Sequence, residues 1–209
     1  MNVYETDEEK IEAIKAWWKE NAVSVIGGMV IGLMAVFGWR YWQSYQENLA
    51  QQASTTFEQL VANVEAGNSE VARRQAALIL QKHGDSAYTA LTHLVLARLE
   101  IAAQQPAAAR QALEQAIAKA HDPGLAKVAA LRLARLLLDQ GDLEAASAVV
   151  AKHDQGGPFT ADFSAIRGDL ALAEGKPDQA RAAYDQAIAQ GAANPALLKL
   201  KVDNLPPAG

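Results

Sequence analysis

A run of 19 residues without a charged side chain, residues 21–39, constrains this chain more than any other feature. It lies between Glu20 and Arg40. A helix of this length spans about 28 Å, which matches the hydrocarbon core of a bilayer. Tryptophans mark both edges of the run, as aromatic residues do at membrane interfaces, and they are Trp17, Trp18, Trp39 and Trp42. The sequence therefore predicts one transmembrane helix over residues 21–39.

A cleaved signal peptide is the alternative interpretation of this apolar run. Signal peptides begin with a short basic region and end at a small-residue cleavage site. The first 20 residues instead carry three lysines against six acidic residues, and no Ala-x-Ala follows the run within ten residues. We therefore expect an anchor that is retained.

The distribution of positive charge predicts the orientation of this helix. Only Lys and Arg close to the membrane bias topology, and they favour the cytoplasmic side. Three lysines precede the span, whereas Arg40 alone follows it closely and the next basic residue is Arg73. We expect residues 1–20 in the cytoplasm and residues 41–209 exported.

Three small residues within the span share one helix face. Ser24, Gly28 and Gly32 are spaced four residues apart, which is the pattern that lets two membrane helices approach closely. Small residues are also common in such helices for no specific reason. A contact with a second membrane helix and an incidental pattern both remain open.

The rest of the chain is helical in periodicity and contains a repeat. The segment that begins Gly141-Asp142 is similar to the one that begins Gly175-Lys176, and both resemble the turn of a tetratricopeptide repeat. In that repeat a small residue in the first helix lies twelve positions before an alanine in the second. Three pairs meet this spacing: Ala97/Ala109, Ala134/Ala146 and Gly168/Ala180. The second-helix markers Ala72, Ala109, Ala146 and Ala180 are 37, 37 and 34 residues apart.

These patterns predict an all-α protein in which one N-terminal transmembrane helix precedes a tetratricopeptide-like solenoid. Stacked repeats share a continuous core that one helical hairpin cannot form alone. We expect a polar stalk over 40–52 and a repeat domain over 53–209, closed by a capping helix over 196–202. The repeat units are predicted at 53–84, 90–121, 127–154 and 161–191. A generic helical bundle with chance spacing is the alternative.

Composition argues against catalysis and against nucleic-acid binding. The 209 residues include 19 basic and 24 acidic side chains, a net charge of −5, whereas nucleic-acid-binding surfaces are basic. The absence of cysteine excludes thiol nucleophiles and cysteine zinc sites. No two of the four histidines are three or four residues apart, and no phosphate loop or nucleophile elbow occurs. We expect no catalytic, cofactor-binding or metal-binding residue.

A concave groove is the candidate binding site, because the first helices of tetratricopeptide repeats line one. Carrying over the groove positions gives Phe57, Val61, Val64, Leu94, Arg98, Ile101, Leu131, Arg135, Leu138, Asp169 and Leu172. Arg98 and Arg135 are equivalent, and an apolar groove with two guanidinium groups suits a peptide that contains carboxylates. The Asn/Lys carboxylate clamp of tetratricopeptide co-chaperones is absent. The alternative is that these apolar residues form core between repeats.

Several segments resemble the YfgM family of ancillary subunits of the bacterial Sec translocon. The most specific is the exit from the apolar run, Gly38-Trp39-Arg40-Tyr41-Trp42. The others are Tyr4-Glu5, Glu12-Ala13-Ile14-Lys15, Leu131-Arg132-Leu133-Ala134-Arg135, Ile166-Arg167-Gly168-Asp169 and Lys201-Val202-Asp203-Asn204-Leu205. The resemblance covers nearly the whole chain and is weakest over residues 60–125.

The resemblance implies a single-span inner-membrane protein with a periplasmic repeat domain and no catalytic residues. Its implied partners are the SecYEG translocon and the membrane-anchored periplasmic chaperone PpiD, with hand-over of exported polypeptides as the implied role. Two alternatives remain from the residues alone: a tethered scaffold for envelope assembly or division, and a regulatory tether for a signalling protein.

Overall fold

A computed structural model describes residues 7–206 of the chain, with side chains from residue 10 onward. The Tyr4-Glu5 pair of the resemblance lies outside the described residues. Within them the chain forms α-helices joined by turns and contains no β-strand, which confirms the all-α prediction. The helices are α1 (Asp7–Glu65), α2 (Ser69–Lys82), α3 (Tyr88–Ala102), α4 (Pro106–Lys119), α5 (Pro123–Asp139), α6 (Leu143–His153), α7 (Thr160–Ala173), α8 (Pro177–Ala189) and α9 (Pro195–Asp203).

The chain divides into two compact units, Met1–Gln51 and Gln52–Gly209. The described part of the first unit is helical throughout and includes the apolar run. Among the described helices, α1 alone is long and apolar enough to cross a membrane, and none of the residues in its most apolar window is buried. Its tryptophans are about half exposed, and the rings of Trp39 and Trp42 lie 5.4 Å apart. These exposed apolar side chains are suited to contact with lipid.

A left-handed residue follows each of the helices α1, α3, α5, α7 and α8. After α5, the N–H of Gly141 donates to the carbonyl of Leu138 and that of Asp142 to Leu137, both at 2.9 Å. This pair of bonds satisfies carbonyls that the helix end leaves open, and it requires a positive φ, here +76° at Gly141. Gln104 takes the equivalent position after α3 with φ +56°.

Small residues lie where the two helices of each repeat cross. The second-helix markers are 0% exposed, and they are Ala72, Ala109, Ala146 and Ala180. The small first-helix partners of the last three markers, Ala97, Ala134 and Gly168, are buried too, and Gly168 lies against the ring of Tyr184. The predicted twelve-residue spacing thus corresponds to close helix packing that larger side chains would prevent.

Three hydrophobic clusters form the core of the second unit. The first joins residues 57–64 to α2 and α3, the second extends from α3 to α7, and the third joins α7, α8 and α9. Helices α3 and α7 each contribute to two clusters. Consecutive repeats therefore share a core, as expected of a solenoid.

The last helix, α9, covers the final repeat. The Asn194 side chain caps it by accepting a hydrogen bond from the N–H of Leu197 at 3.1 Å. Leu198 and Leu205 are buried against the third cluster. The guanidinium of Arg181 donates to the carbonyl of Pro206 at 2.9 Å. These contacts fix α9 at the end of the described repeats, where the sequence predicted a capping helix.

Candidate functional site

An open cleft lies between α3 and α5, the first helices of two successive repeats. Its volume is about 510 Å³, within the range of ligand sites in proteins. Leu113 of α4 lines it between the two first helices. The residues of α3 and α5 that line it are Leu94, Ala97, Arg98, Ile101, Arg132, Arg135, Leu136 and Asp139.

The apolar part of the cleft combines buried and accessible side chains. Leu113 is 0% exposed and Leu94 is 6% exposed, so both also belong to the core. Ile101 is 50% exposed and offers an apolar surface to a ligand. The cleft therefore has a fixed apolar base and an accessible apolar wall.

Three arginines give the cleft its charge. Arg98, Arg132 and Arg135 are exposed, and none makes a hydrogen bond or ion pair with another residue among those that the structure describes. Asp139 is the one carboxylate among the residues that line this cleft. Guanidinium groups without an internal partner are available for bidentate contact with a carboxylate.

Four other arginines of the repeat unit have partners within the chain. Arg73 contacts Glu70 and Glu100, at 2.9 and 3.0 Å. Arg110 contacts Glu114 and Asp142 at 3.0 and 3.2 Å. The remaining two are Arg167, which pairs with Asp154, and Arg181, which donates to two backbone carbonyls. The arginines of the cleft thus differ from most others in the unit.

Four of the nine residues that line this cleft are among the predicted groove residues. Leu94, Arg98, Ile101 and Arg135 line it, whereas Leu131 is 5% exposed and belongs to the core. Leu131 and Leu138 lie three and four residues from Ala134 and share its inward face. The missed residues of α5 are Arg132, Leu136 and Asp139.

A difference between the two walls explains the missed residues. A cleft between two helices is lined by opposite flanks of those helices, so most equivalent positions of successive repeats do not both face it. Arg98 and Arg135 are the one equivalent pair in its lining. On α5 the lining positions 132, 135, 136 and 139 form an i, i+3, i+4, i+7 row. That row carries two of the three arginines, and this charged stripe was the available sequence signal.

The predicted groove residues at the start of the repeat unit contact its first cluster. Phe57 and Val64 are partly buried and pack against that cluster, and Val61 is also half-buried. The Phe57 ring lies 5.4 Å from the ring of Tyr88. Their role in ligand binding stays a prediction.

At the other end, Asp169 and Leu172 line a cavity of about 310 Å³ beside α9. The Tyr184 hydroxyl donates to Asp169 Oδ1 at 2.7 Å, and Lys201 of α9 donates to the same oxygen. Burial and the Asp169 carboxylate both raise the pKa of Tyr184. The carboxylate is therefore already engaged within the chain.

The small residues of the predicted membrane contact are uncovered in the described part of the protein. Ser24, Gly28 and Gly32 are exposed, and a Cβ added at either glycine would meet nothing within 4 Å. Their face is therefore open to a second helix, and the contact stays a prediction.

The histidines are dispersed among the helices and turns. In the described residues no three His, Asp or Glu side chains are grouped so that they could hold a metal ion. His93 lines a small cavity of about 220 Å³ with Leu96 and Glu100. Burial lowers the pKa of His93, and the charge of Lys119 adds to this effect.

Known proteins resemble this chain along nearly its full length. A tetratricopeptide repeat-like domain family matches residues 15–207. A protein of Aggregatibacter actinomycetemcomitans named ancillary SecYEG translocon subunit is 32% identical, with 95% of this chain and 97% of the relative aligned. Its Escherichia coli namesake is 30% identical, with 98% and 99% aligned. The Haemophilus influenzae protein of that name is 29% identical over 95% and 97% of the two chains.

A solved structure gives independent support for the repeat fold. The structure from the functional characterization of Pseudomonas aeruginosa pilF superimposes with a TM-score of 0.57 and 18% identity. The match covers 74% of this chain and 70% of that one. Identity at this level supports the fold alone. The full-length relatives and the family match confirm the resemblance found in the sequence: the chain belongs to the family of ancillary SecYEG translocon subunits and carries a tetratricopeptide repeat-like domain.

Proposed function

We propose that this protein is a non-catalytic ancillary subunit of the SecYEG translocon in the bacterial inner membrane. The observation that carries the proposal is the alignment with named translocon subunits, which includes 95–98% of this chain. An alignment of that extent includes the apolar helix as well as the repeats. The helix anchors the protein beside the channel, and the repeats bind a protein partner.

The partners that we propose for the repeats are a membrane-anchored periplasmic chaperone of the PpiD type and exported polypeptides. The α3–α5 cleft supports peptide binding because it is open, partly apolar and positively charged. Anchoring all partners in one membrane raises their effective concentration, so contacts that are weak in solution suffice. In this arrangement an emerging polypeptide passes from the channel to the chaperone beside the repeats.

The proposed orientation places the N-terminus in the cytoplasm and the repeats in the periplasm. The chain contains no cysteine, so one introduced cysteine reports its own location. Gln186 is an exposed site on α8, whereas Gln190 accepts a hydrogen bond from Ser164 and is less suitable. We expect Gln186→Cys in intact spheroplasts to react with a membrane-impermeant maleimide. Labelling only after lysis of the inner membrane would place the repeats in the cytoplasm and contradict the proposal.

Photocrosslinking in living cells tests the partners. Ile101 is the better probe position in the cleft, because it is 50% exposed whereas Leu131 is buried in the core. A second probe at Gln186, on an exposed surface outside the cleft, is the matched control. We expect adducts with translocon subunits, a periplasmic chaperone or exported polypeptides from Ile101 and not from Gln186.

Other adducts would favour the alternative functions. Crosslinks from Ile101 to envelope-assembly or division proteins would indicate a tethered scaffold. Crosslinks to a cytoplasmic signalling protein, together with cytoplasmic labelling at Gln186, would indicate a regulatory tether. Failure to copurify with SecYEG from mild detergent would contradict the proposal directly.

A further inference from the structure

We propose that the α3–α5 cleft binds an internal peptide segment in which one large apolar side chain is flanked by at least two carboxylates. The inference rests on the proposed function, because it defines the chemistry of the segment that the cleft would take from a protein partner. The cleft would recognise a short sequence motif, which differs from non-specific binding of apolar side chains.

The balance of charge in the cleft supports an anionic ligand. Three guanidinium groups line it and Asp139 is the one carboxylate among its lining residues, although the chain as a whole has a net charge of −5. The chain has many carboxylates, and in the repeat unit it pairs Arg73, Arg110 and Arg167 with them. The three arginines of the cleft have no partner in the described chain. Their charge is therefore complementary to carboxylates of a bound ligand.

The positions of the arginines favour more than one carboxylate. Arg132 and Arg135 lie one helical turn apart on α5, whereas Arg98 projects from α3 on the other wall. A single carboxylate engages one guanidinium in the bidentate geometry. A chain terminus supplies one such group, so an internal acidic segment fits the site better than a free C-terminus.

The apolar wall and the volume limit the length of the segment. Ile101 and Leu136 flank the arginines, with Leu113 beneath them. A space of about 510 Å³ has the size of a small-ligand site. It accommodates one large apolar side chain and its immediate neighbours. Asp139, at the C-terminal end of α5, repels acidic groups there, so the carboxylates lie toward Arg98, Arg132 and Arg135.

Fluorescence anisotropy of labelled peptides, with the full chain in lipid nanodiscs, tests this inference. The probe is a ten-residue peptide with an amidated C-terminus and a central Phe between two Glu residues, with Ser and Gly elsewhere. One comparison peptide carries Gln in place of both Glu residues. Another has Gln at those positions and a free C-terminal carboxylate. We expect the first peptide to bind at least tenfold more tightly than either, and its affinity to fall as salt is added.

Substitutions in the protein locate the binding site. We expect Arg98→Gln, Arg132→Gln and Arg135→Gln each to weaken binding of the acidic peptide about tenfold, the effect of losing one charge-assisted hydrogen bond. Arg74 on α2 is the matched control, because it too is exposed and without a partner in the described chain but lies outside the cleft. We expect Arg74→Gln to leave the affinity unchanged.

Three outcomes would overturn the inference. Equal affinity for the Glu and Gln peptides, including no binding of either at millimolar concentration, would exclude recognition of carboxylates. Tighter binding of the free C-terminus would exclude an internal segment. An equal loss in Arg74→Gln and the cleft variants would exclude the cleft as the site.

Copurification with SecYEG separates this inference from the proposed function. If the chain copurifies with the translocon but shows no preference for acidic peptides, the inference fails and the proposed function stands. If the cleft prefers acidic peptides but the chain does not copurify with SecYEG, the chemistry of the cleft stands and the proposed function fails.

Discussion

The ring of Tyr184 lies directly against the backbone of Gly168, so no side chain of α7 separates this ring from the helix. A Cβ at Gly168 would lie 2.9 Å from Tyr184 Cζ and overlap the near edge of the ring. Tyr184 is 0% exposed, and its hydroxyl is held by Asp169 at 2.7 Å. The ring is therefore fixed at both ends and cannot easily move aside.

Gly168→Ala tests this contact. Alanine favours a helix over glycine by about 1 kcal/mol, but an overpacked core costs about 1–3 kcal/mol, and here the added methyl group meets a fixed ring. We expect a net loss of about 1–2 kcal/mol, measured by urea unfolding of the full chain in detergent. In a Tyr184→Leu background the same substitution should cost less. An equal loss in both backgrounds would show that the contact with Tyr184 does not cause the loss of stability.

Gln104 occupies a left-handed position that glycine takes in other turns of the same unit. Its φ is +56°, and Gly141 and Gly175 have +76° and +75° at equivalent positions. Because a side chain in this region costs about 1 kcal/mol, we expect Gln104→Gly to stabilise the protein by about that amount. Gln105→Gly is the control, since φ of Gln105 is −112°. A gain at Gln105 equal to that at Gln104 would refute this explanation.

We expect the Arg167–Asp154 pair to contribute more to stability than the pairs of Arg110. The Asp154 side chain is 6% exposed, whereas the partners of Arg110 are 41–49% exposed. Removing the guanidinium leaves a buried carboxylate with a weaker partner, so we expect Arg167→Gln to cost about 1–3 kcal/mol. Arg110→Gln should cost less than about 1 kcal/mol, as exposed pairs do. Chemical denaturation of both variants checks this order, and similar losses would contradict it.

His93 makes the stability of the repeat unit depend on pH. Burial, with the charge of Lys119, lowers its folded-state pKa below 6.5, and burial acts in the same direction on His153. The unfolded chain therefore binds protons on these imidazoles before the folded protein does. Their contribution to stability is complete above about pH 6.5 and is lost as the pH falls toward the lowered pKa.

We expect His93→Gln to reduce the loss of thermal stability between pH 7.5 and 5.5. Thermal unfolding of the full chain at both pH values measures the difference. His121→Gln is the control, since His121 is exposed in the turn between α4 and α5. The same reduction in both variants would show that burial of His93 is not the cause.

Local patterns in the sequence determined the fold class and the repeat. The charge-free run with tryptophans at its edges indicated a membrane helix, because lipid excludes charge over a fixed length. The spacing of Ala97 from Ala109, and of Ala134 from Ala146, indicated paired helices, because close helix crossings admit only small side chains. Such signals depend only on residues within one helix or one helical hairpin. They can therefore be recognised from the sequence alone.

The cleft depended on tertiary structure. Leu131 and Leu138 occupy positions equivalent to Leu94 and Ile101, yet only Leu94 and Ile101 line the cleft. Leu94 is as buried in the core as Leu131, whereas Ile101 is half exposed and Leu138 packs against the core. A cleft between neighbouring first helices uses opposite flanks of each, so a position's role depends on which side of the cleft its helix lies. Likewise, the sequence predicted Asp169 in a groove, but only the packing of α8 and α9 against α7 showed that Tyr184 and Lys201 already bind its carboxylate. Periodicity predicts which face of a helix is apolar. Which helix packs against that face depends on how the repeats assemble.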